Sequence, residues 1–392
     1  MINSPIEINM NTYAKILRPA IVASLAAFLT TGCGLLRQTT HEYGDEAAET
    51  TTDHHYVMLV GSLGSTPDEG EIQSFTLHPV TMAMEHTGTV SAASPSFMVL
   101  GKDRRTLFVT NETERESTLS SYKLDPSSGE LSLLSKTYTI GEGPTYVTTN
   151  GSYVVSANYA GGSISLTESD SKGVLAPVDW HIQIGDKGVS HPHSVYFTSD
   201  GSQLFATDLG LDKVLHFGIH TDTPPITLDA NQITLPKGSG PRHIILSKND
   251  KFAYVVCEFT PQIFVYRNDN GVLTEIQRIS THRTGKSGGH IALSHDGHFL
   301  YTSHRDGGQD AIISFRVDKQ SGRLSYLSTT PTGRHPRHFA ISPDDSYIAV
   351  AQRDDSLVSF YKRDRKSGEL TPMKKAIRTD RPVFILWESF DN

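Results

Sequence analysis

The sequence HPHSVYFTSDGSQLFATDL, residues 191–209, contains two short apolar segments separated by a tight turn. Apolar and polar side chains alternate on both sides of Asp200 and Gly201. Alternation with a period of two is typical of half-buried β-strands, and Asp-Gly favours a hairpin turn between them. This stretch therefore predicts a pair of antiparallel β-strands.

The same pattern recurs from residue 56 onward, for example in SPSFMVLGKDRRTLFVTNE (94–112) and HPRHFAISPDDSYIAVAQR (335–353). Each copy is anchored by a proline or a glycine near its start. The anchors are Pro95, Pro144, Pro192, Pro241, Gly288, Pro336 and Pro382. They are 46 to 49 residues apart, which is a period typical of propeller blades. Residues 56–392 therefore hold seven units.

A second repeated signal, Gly-x-Leu, opens a further strand in most units. It occurs at Gly129, Gly173, Gly271, Gly322 and Gly368. Four short strands per unit and the absence of a sustained helical pattern indicate four-stranded blades. The segment at 56–60 matches a second strand and the segment at 382–386 matches a first strand, so the last strand completes the first blade. The sequence predicts an all-β, seven-bladed β-propeller over residues 56–392, closed by its C-terminal strand.

Residues 1–33 have the organisation of a bacterial export signal. Lys15 and Arg18 precede a short apolar run at 20–29, and small residues lead from it to Cys33. This arrangement is typical of a secretory signal, and the cysteine resembles the lipidation site of bacterial lipoproteins. Acyl chains on Cys33 would anchor the chain to a membrane. We predict an exported, membrane-anchored lipoprotein that faces the periplasm or the cell exterior; an ordinary signal peptide with an incidental cysteine is the alternative.

Residues 34–55 are polar, include several glutamates and aspartates, and show no periodicity. Such a composition predicts a flexible tether between the anchor and the propeller. Met1 and Met10 both stay open as the initiation site.

The composition excludes several classes of function. A net charge of −8 argues against a nucleic-acid partner, which requires a basic face. Two cysteines cannot form a disulfide framework or a thiolate metal site. The chain contains no nucleophile elbow, phosphate loop or HExxH motif. We expect no metal and no cofactor. We also expect a monomer, because a closed ring needs no partner for stability.

Candidate functional residues lie on one rim of the propeller, because antiparallel pairing puts the start of a first strand beside the end of a second strand. Those at strand starts are His193, Arg242, His243, His290 and Arg337; those at second-strand ends are Glu112, Asn158, Asp208, Glu258, His304, Arg305 and Arg353. The arginines outnumber the nearby carboxylates, which predicts an anionic ligand. Ion pairs between blades, with no catalytic role, are the alternative.

Several of these blocks resemble one known family. They are the segments at 94–97, 157–163 (ANYAGGS), 191–194 (HPHS), 208–214 (DLGLDKV), 240–243 (GPRH) and 303–305 (SHR). Together they are similar to the propeller-type lactonases, which include bacterial 6-phosphogluconolactonases and fungal carboxy-cis,cis-muconate cyclases. The similarity covers residues 56–390 and implies a lactone hydrolase that opens a sugar lactone at the channel mouth.

The resemblance also implies residue roles. The family's proposed catalytic residues match His193, Arg242, Glu258 and Arg305. The remaining rim residues then contact a small anionic or sugar-lactone substrate: Glu112, Asn158, Asp208, His243, His290, His304, Arg337 and Arg353. This chain departs from the family at Cys257 and His304, where asparagine is common, and at His290, where glutamate is common.

Lactone hydrolysis needs an activated water, stabilisation of the oxyanion and a proton for the leaving alkoxide. We expect Arg242 and Arg305 to hold the oxyanion. His193 and Glu258 are both candidates for the base; His193 is preferred because arginines around Glu258 keep it ionised and weakly basic. An exported chain would not meet cytosolic phosphorylated lactones. A non-catalytic exported binding or scaffold propeller and a muconate-type lactonising cyclase are therefore the alternatives.

Overall fold

The computed structural model describes residues 54–66, 68–113, 117–285, 287–305 and 308–391. The predicted signal, the lipidation cysteine and the predicted tether up to residue 53 lie outside these residues. The first strand begins at His54, two residues before the predicted start of the propeller. Within the described ranges, no helix is long and apolar enough to cross a bilayer.

The chain folds into seven antiparallel sheets, so the predicted seven-bladed propeller is confirmed. In blades I to IV the strands, from the channel outward, are as follows. Blade I has β29 (Pro382–Asp391), β1 (His54–Leu63), β2 (Gly70–Leu77) and β3 (Met84–Ser91); blade II has β4 (Pro95–Leu100), β5 (Thr106–Asn111), β6 (Thr118–Leu124) and β7 (Leu131–Tyr138); blade III has β8 (Pro144–Thr149), β9 (Tyr153–Asn158), β10 (Ser163–Glu168) and β11 (Trp180–Gln183); blade IV has β12 (Pro192–Phe197), β13 (Gln203–Asp208), β14 (Lys213–Ile219), and the short β15 (Ile226–Leu228) and β16 (Ile233–Thr234).

Blades V to VII follow the same order. Blade V has β17 (Pro241–Leu246), β18 (Phe252–Cys257), β19 (Gln262–Asp269) and β20 (Val272–Ser280); blade VI has β21 (Gly288–Leu293), β22 (Phe299–His304), β23 (Ala311–Val317) and β24 (Leu324–Pro331); blade VII has β25 (Pro336–Ile341), β26 (Tyr347–Gln352), β27 (Leu357–Arg363) and β28 (Leu370–Arg378). A 3₁₀ turn, Arg353–Asp355, connects β26 to β27.

The C-terminal strand closes the ring, as the sequence predicts. Strand β29 pairs antiparallel with β1, from His54 opposite Asp391 to Gly61 opposite Phe384. Trp387 of β29 is buried and its indole meets the edge of Tyr56 in β1. Closure covers an edge of β1 that would otherwise be open for pairing with another chain.

The Gly-x-Leu repeat has a packing function between blades. Gly322 has a positive φ of +73°, and a Cβ atom placed on it would lie 2.3 Å from the Phe252 ring of the preceding blade. Gly368 meets Phe299 in the same way, with φ of +80° and the same 2.3 Å. These turns accept glycine because it tolerates positive φ and lets the backbone approach the ring closely.

Most innermost strands carry a β-bulge at the rim that holds the candidate site. The pairing register shifts between Pro192 and Ser194 and between Pro241 and His243, so His193 and Arg242 are extra residues in their strands. Arg337 is the extra residue of β25. A bulge re-aims the inserted side chain and commonly lies beside active sites. The bulges thus turn these three side chains out of the ordinary strand alternation.

Candidate active site

Three charged residues from blades V and VI form the centre of the rim. The register pairs Pro241 with Cys257, so Arg242 and Glu258 follow on adjacent strands. Arg242 Nε donates to Glu258 Oε2 at 2.9 Å, and Arg305 Nη2 lies 3.0 Å from the same oxygen. The structure therefore brings together three of the four residues predicted to be catalytic.

Both arginines are held from below by backbone carbonyls. Arg242 Nη1 donates to Gly289 O at 3.1 Å, and Arg305 Nη2 donates to Gly288 O at 3.0 Å. Their side chains are only 3% and 5% exposed, whereas the Glu258 side chain is 28% exposed. Among the residues that the structure describes, Glu258 Oε1 accepts no hydrogen bond. That oxygen is free to bind a water molecule or a substrate hydroxyl.

The pKa values of this cluster reflect burial and the excess of arginines. Burial and the nearby Arg305 lower the pKa of Arg242 to about 9, so the guanidinium stays charged at neutral pH. Burial alone would raise the pKa of Glu258, but Arg242 and Arg305 outweigh it and lower that pKa below its ordinary value. Glu258 is therefore an ionised carboxylate throughout the neutral range.

Two more predicted rim residues form a second ion pair. Arg337 Nη2 lies 3.3 Å from Glu112 Oε2, which joins blade VII to blade II. Their side chains are 19% and 29% exposed. Arg353 instead pairs with its neighbour Asp354 at 2.7 Å. The prediction that Arg353 contacts substrate finds no support in this arrangement, because its charge is directed to the adjacent carboxylate.

Below the arginines, a layer of aromatic rings crosses the channel. Its members come from six innermost strands: Phe97, Tyr146, His243, His290, His338 and Phe384. Phe97 stacks on Tyr146 at 3.7 Å and meets His243 and His338 edge-on from the opposite side. All six side chains are buried. A ligand on this rim is thus confined to the mouth.

His243 and His290 therefore lie beneath the mouth rather than on its surface. His243 is 4% exposed and His290 is 9% exposed. Arg242 and Arg305 are buried to a similar degree, at 3% and 8% exposed, so burial does not separate these histidines from the arginines, and their predicted contact with substrate stays a prediction. The layer itself includes Phe97 and Tyr146, which are not among the predicted site residues because aromatic residues in a strand ordinarily indicate core.

His193 reaches the same region from blade IV. Its ring meets the edge of Tyr159 at 5.4 Å and of His243 at 5.2 Å. It is 6% exposed, and its Nδ1 is buried with no hydrogen-bond partner within the described residues. Burial, together with Arg242 and Arg337, lowers the pKa of His193 well below its ordinary value. The imidazole is neutral, and it is much less accessible than Glu258.

Asn158 and Asp208 are structural residues, which corrects their predicted role in substrate binding. Neither has accessible surface. Asp208 Oδ1 accepts hydrogen bonds from the backbone N–H groups of His191, Gly210 and Leu211. Asn158 donates to Ser163 and Ser165. Their polar atoms hold loops and strands in place through these hydrogen bonds. Both residues are buried, so these atoms have no access to a ligand.

His304 and Cys257 are also buried, at the ends of β22 and β18. His304 is 2% exposed, and its predicted contact with substrate stays a prediction. Burial raises the pKa of the Cys257 thiol to about 12. Within the described ranges, no group of three or more His, Cys, Asp or Glu side chains is arranged to hold a metal ion.

The comparisons with known proteins agree with this fold. The family model described as "Lactonase, 7-bladed beta-propeller" matches residues 57–387. The chain belongs to this lactonase family. Relatives of this chain are named as 6-phosphogluconolactonases and as a gluconolactonase, and these names support a lactone hydrolase as its class of enzyme.

Solved structures and curated relatives of the family cover most of the chain. A Bacteroides fragilis protein of known structure is 34% identical, with a TM-score of 0.81 over 86% of this chain and 99% of its own. The periplasmic gluconolactonase PpgL of Pseudomonas aeruginosa is 31% identical, with a TM-score of 0.78 over 85% of this chain and 99% of its own. The 6-phosphogluconolactonase of Bacillus subtilis is 26% identical over 84% of this chain and 97% of its own length.

Proposed function

We propose that this lactonase hydrolyses an unphosphorylated sugar lactone at the rim formed by Arg242, Glu258 and Arg305. The observation that carries the proposal is the geometry of Glu258. Two arginines occupy one carboxylate oxygen, the other oxygen accepts no hydrogen bond from any described residue, and the side chain is 28% exposed. A fixed carboxylate with one open oxygen can orient a water molecule beside arginines that stabilise negative charge.

The reaction follows from these positions. Water bound to Glu258 Oε1 adds to the lactone carbonyl carbon while its proton passes to the carboxylate. Arg242 and Arg305 stabilise the oxyanion of the tetrahedral intermediate. The ring C–O bond then breaks, and the leaving alkoxide takes the proton back from Glu258. The product is an open-chain hydroxy acid whose carboxylate stays beside the arginines.

Glu258 replaces His193 as the proposed base because of access. A general base must reach the water within hydrogen-bond distance. The Glu258 side chain is 28% exposed, whereas His193 is 6% exposed and one of its two ring nitrogens, Nδ1, is buried. The lowered pKa of Glu258 makes it a weak base. We therefore assign its main contribution to holding the water in line with the carbonyl carbon.

The balance of charge favours a substrate without phosphate. Three arginines at the mouth, Arg242, Arg305 and Arg337, face two carboxylates, Glu258 and Glu112. One positive charge is therefore unpaired. A single charge balances an oxyanion or a product carboxylate, whereas a phosphate dianion carries two negative charges and requires more than one. The relatives include both a periplasmic gluconolactonase and 6-phosphogluconolactonases, so the choice of an unphosphorylated lactone rests on the balance of charge.

We also propose that the chain acts outside the cytoplasm, as a monomer anchored through Cys33. The proposal rests on the signal-like residues 1–33 and the polar segment that follows. Cell fractionation of the Cys33→Ser variant tests it. Wild-type protein is expected in the membrane fraction and the variant in the soluble fraction; equal membrane retention of both would contradict the anchor.

A pH-stat assay of the full chain tests the proposed reaction. The substrates are gluconolactone, other unphosphorylated sugar lactones and their 6-phosphorylated forms, and acid release is measured near neutral pH. We expect turnover of an unphosphorylated lactone and a fall of kcat by about a hundredfold or more in Glu258→Gln. Glu85→Gln, an exposed residue of β3, is the control and is expected to match the wild type.

The outcomes separate the alternatives. Turnover of phosphorylated lactones alone would contradict the proposed substrate class while leaving the site intact. A Glu258→Gln variant as active as Glu85→Gln would remove Glu258 from the mechanism. No turnover of any lactone would favour a binding propeller, and formation of a lactone from an unsaturated dicarboxylate would favour the cyclase.

A further inference from the structure

A hydrogen-bonded chain of two histidines ends on Arg242. Arg242 Nη1 lies 2.9 Å from His243 Nε2, and His243 Nδ1 lies 3.1 Å from His290 Nδ1. The three residues come from strands β17 and β21 of the neighbouring blades V and VI. All are at least nine-tenths buried. The chain thus connects the aromatic layer to the mouth.

Donor and acceptor chemistry determines the proton positions along this chain. A guanidinium only donates, so His243 Nε2 is an acceptor and carries no proton. A neutral imidazole has one N–H, which places the His243 proton on Nδ1. His243 Nδ1 then donates to His290 Nδ1, and His290 must carry its proton on Nε2. With both imidazoles neutral, hydrogen bonds can be donated only in the order Arg242 to His243 to His290.

The surroundings keep both rings neutral. Burial, with Arg242 next, lowers the pKa of His243 well below its ordinary value. The same two causes lower the pKa of His290 to about 3. The His338 ring contacts His290 at 3.9 Å between centroids with the planes tilted by 31°, and its Nδ1 accepts from Ile385 N–H at 3.3 Å, so it too has an unprotonated Nδ1. The layer therefore contains three neutral imidazoles of defined tautomer.

The two hydrogen-bonded histidines hold the Arg242 side chain in place without neutralising its positive charge. Arg242 Nε donates to Glu258, and Nη1 donates to His243 and to Gly289 O. Among the residues that the structure describes, Arg242 Nη2 makes no hydrogen bond. A second carboxylate in place of His243 would orient the guanidinium equally well but would neutralise it. A neutral acceptor leaves the positive charge for the substrate.

We propose that His290, acting through His243, is a positioning residue that orients the Arg242 guanidinium so that Nη2 meets the lactone oxyanion. The proposal rests on the proposed hydrolysis at this rim. It assigns to His290 a role that depends on one acceptor atom, Nδ1. A purely packing role would depend instead on the size of the side chain.

Two substitutions of similar size separate these roles. Asn can present its amide oxygen where His290 has Nδ1, so His290→Asn keeps an acceptor for His243, whereas His290→Leu has none. We expect His290→Leu to lower kcat about tenfold or more with little change in KM, because the lost contact acts on the transition state. His290→Asn is expected to restore most of kcat. Thermal unfolding of both variants is measured in parallel.

The histidine tautomers of the wild-type enzyme provide a readout that does not depend on activity. Long-range proton–nitrogen NMR spectra of histidine-labelled protein are expected to show His243 protonated on Nδ1 and His290 on Nε2 at neutral pH. Signals are assigned by their loss in His243 and His290 variants. This measurement holds even where no lactone is turned over, so failure of the proposed function is distinguishable from failure of this chain.

Three results would overturn the proposal. One is a His243 proton on Nε2 in the wild type. Another is a folded His290→Leu variant with wild-type kcat. The third is an equal loss of kcat in His290→Asn and His290→Leu, which would indicate packing alone. If His290→Leu does not fold, the wild-type tautomers and the Asn variant still decide between the roles.

Discussion

The chemistry of this site depends on one carboxylate oxygen shared by two arginines. Glu258 Oε2 contacts both Arg242 and Arg305, which are almost fully buried. Burying an arginine without a partner costs several kcal/mol, so the carboxylate stabilises the fold in addition to its proposed part in catalysis. Because one carboxylate serves two guanidiniums, the cluster keeps a positive charge. An oxyanion that forms only in the reaction then has a preorganised partner.

The neutral state of the buried histidines predicts a flat pH profile of activity in the mildly acidic range. The pKa of Glu258 is below its ordinary value and that of His193 is well below 6.5. Neither group changes protonation as the pH falls from about 8 to about 5, so kcat/KM is expected to stay constant there. Initial rates in a pH-stat check this, with circular dichroism confirming that the protein stays folded.

The profile also discriminates between the two base candidates. An inflection near the ordinary histidine pKa of 6.5, lost in a His193→Gln variant, would return the role of base to His193. It would also contradict the burial that holds this imidazole neutral. A profile that falls only below about pH 5 is expected for Glu258.

The repeat pattern predicts the position of a residue along its strand but not the direction of its side chain. Arg242, Glu258 and Arg305 were predicted to converge from their places in the repeat, and they do. Asp208 occupies the same rim, yet its carboxylate points into the fold to bind three backbone N–H groups. That choice depends on the neighbouring loop at 209–211, which a strand alignment does not represent.

At the scale of strands, the bulges explain why this rim carries the site. The opening prolines that anchor the repeat cannot donate a ladder hydrogen bond, and each bulge follows directly after one in β12, β17 and β25. The prolines were visible in the sequence, so the strand starts could be predicted. The bulges could not, because they follow from pairing partners rather than from local sequence.

The inter-blade glycines provide a test of packing at this scale. Gly322 has φ of +73° and no room for a Cβ atom beside Phe252, whereas Gly188 has φ of +81° and no atom within 4 Å of the position that a Cβ atom would take. Gly188→Ala is expected to lower the free energy of unfolding by about 1 kcal/mol, from the positive φ alone. Gly322→Ala adds overpacking and is expected to cost about 1–3 kcal/mol more. Urea denaturation of both variants measures the difference.

Gly188→Ala is the matched control because both substitutions introduce the same backbone strain. Equal destabilisation by the two substitutions would mean that the Phe252 ring moves aside at no cost. The packing role of the Gly-x-Leu repeat would then be wrong, and only its turn conformation would explain the repeated glycine.

At the scale of the whole molecule, the strand that closes the ring, β29, also contributes to the aromatic layer. β29 supplies Phe384 to the layer and Trp387 to the contact with β1. The seven units and their closure followed from the period of the sequence. The layer did not, because six of the seven blades each contribute a single ring, and the partners of a ring, such as Phe97 for His243 and His338, come from distant blades.

The buried histidines of the ring make the stability of the whole propeller sensitive to acid. Burial lowers the pKa of four of them, His193, His243, His290 and His338, and also that of the partly buried His335. In the unfolded chain they titrate near 6.5, so unfolding takes up protons below that pH. Their contribution to stability is complete above 6.5 and is lost as the pH falls toward the folded pKa, about 3 for His290 and His335.

We therefore expect the free energy of unfolding to fall between about pH 6.5 and pH 5, by about 1.4 kcal/mol per pH unit for each histidine that takes up a proton. His295 acts in the opposite direction, because its hydrogen bond to Asp345 raises its pKa. Urea denaturation at several pH values measures the slope, and most aspartates and glutamates stay ionised in this window. His290→Asn is expected to reduce the slope by one proton at most, and an unchanged free energy of unfolding across the window would contradict neutral burial of the ring's histidines.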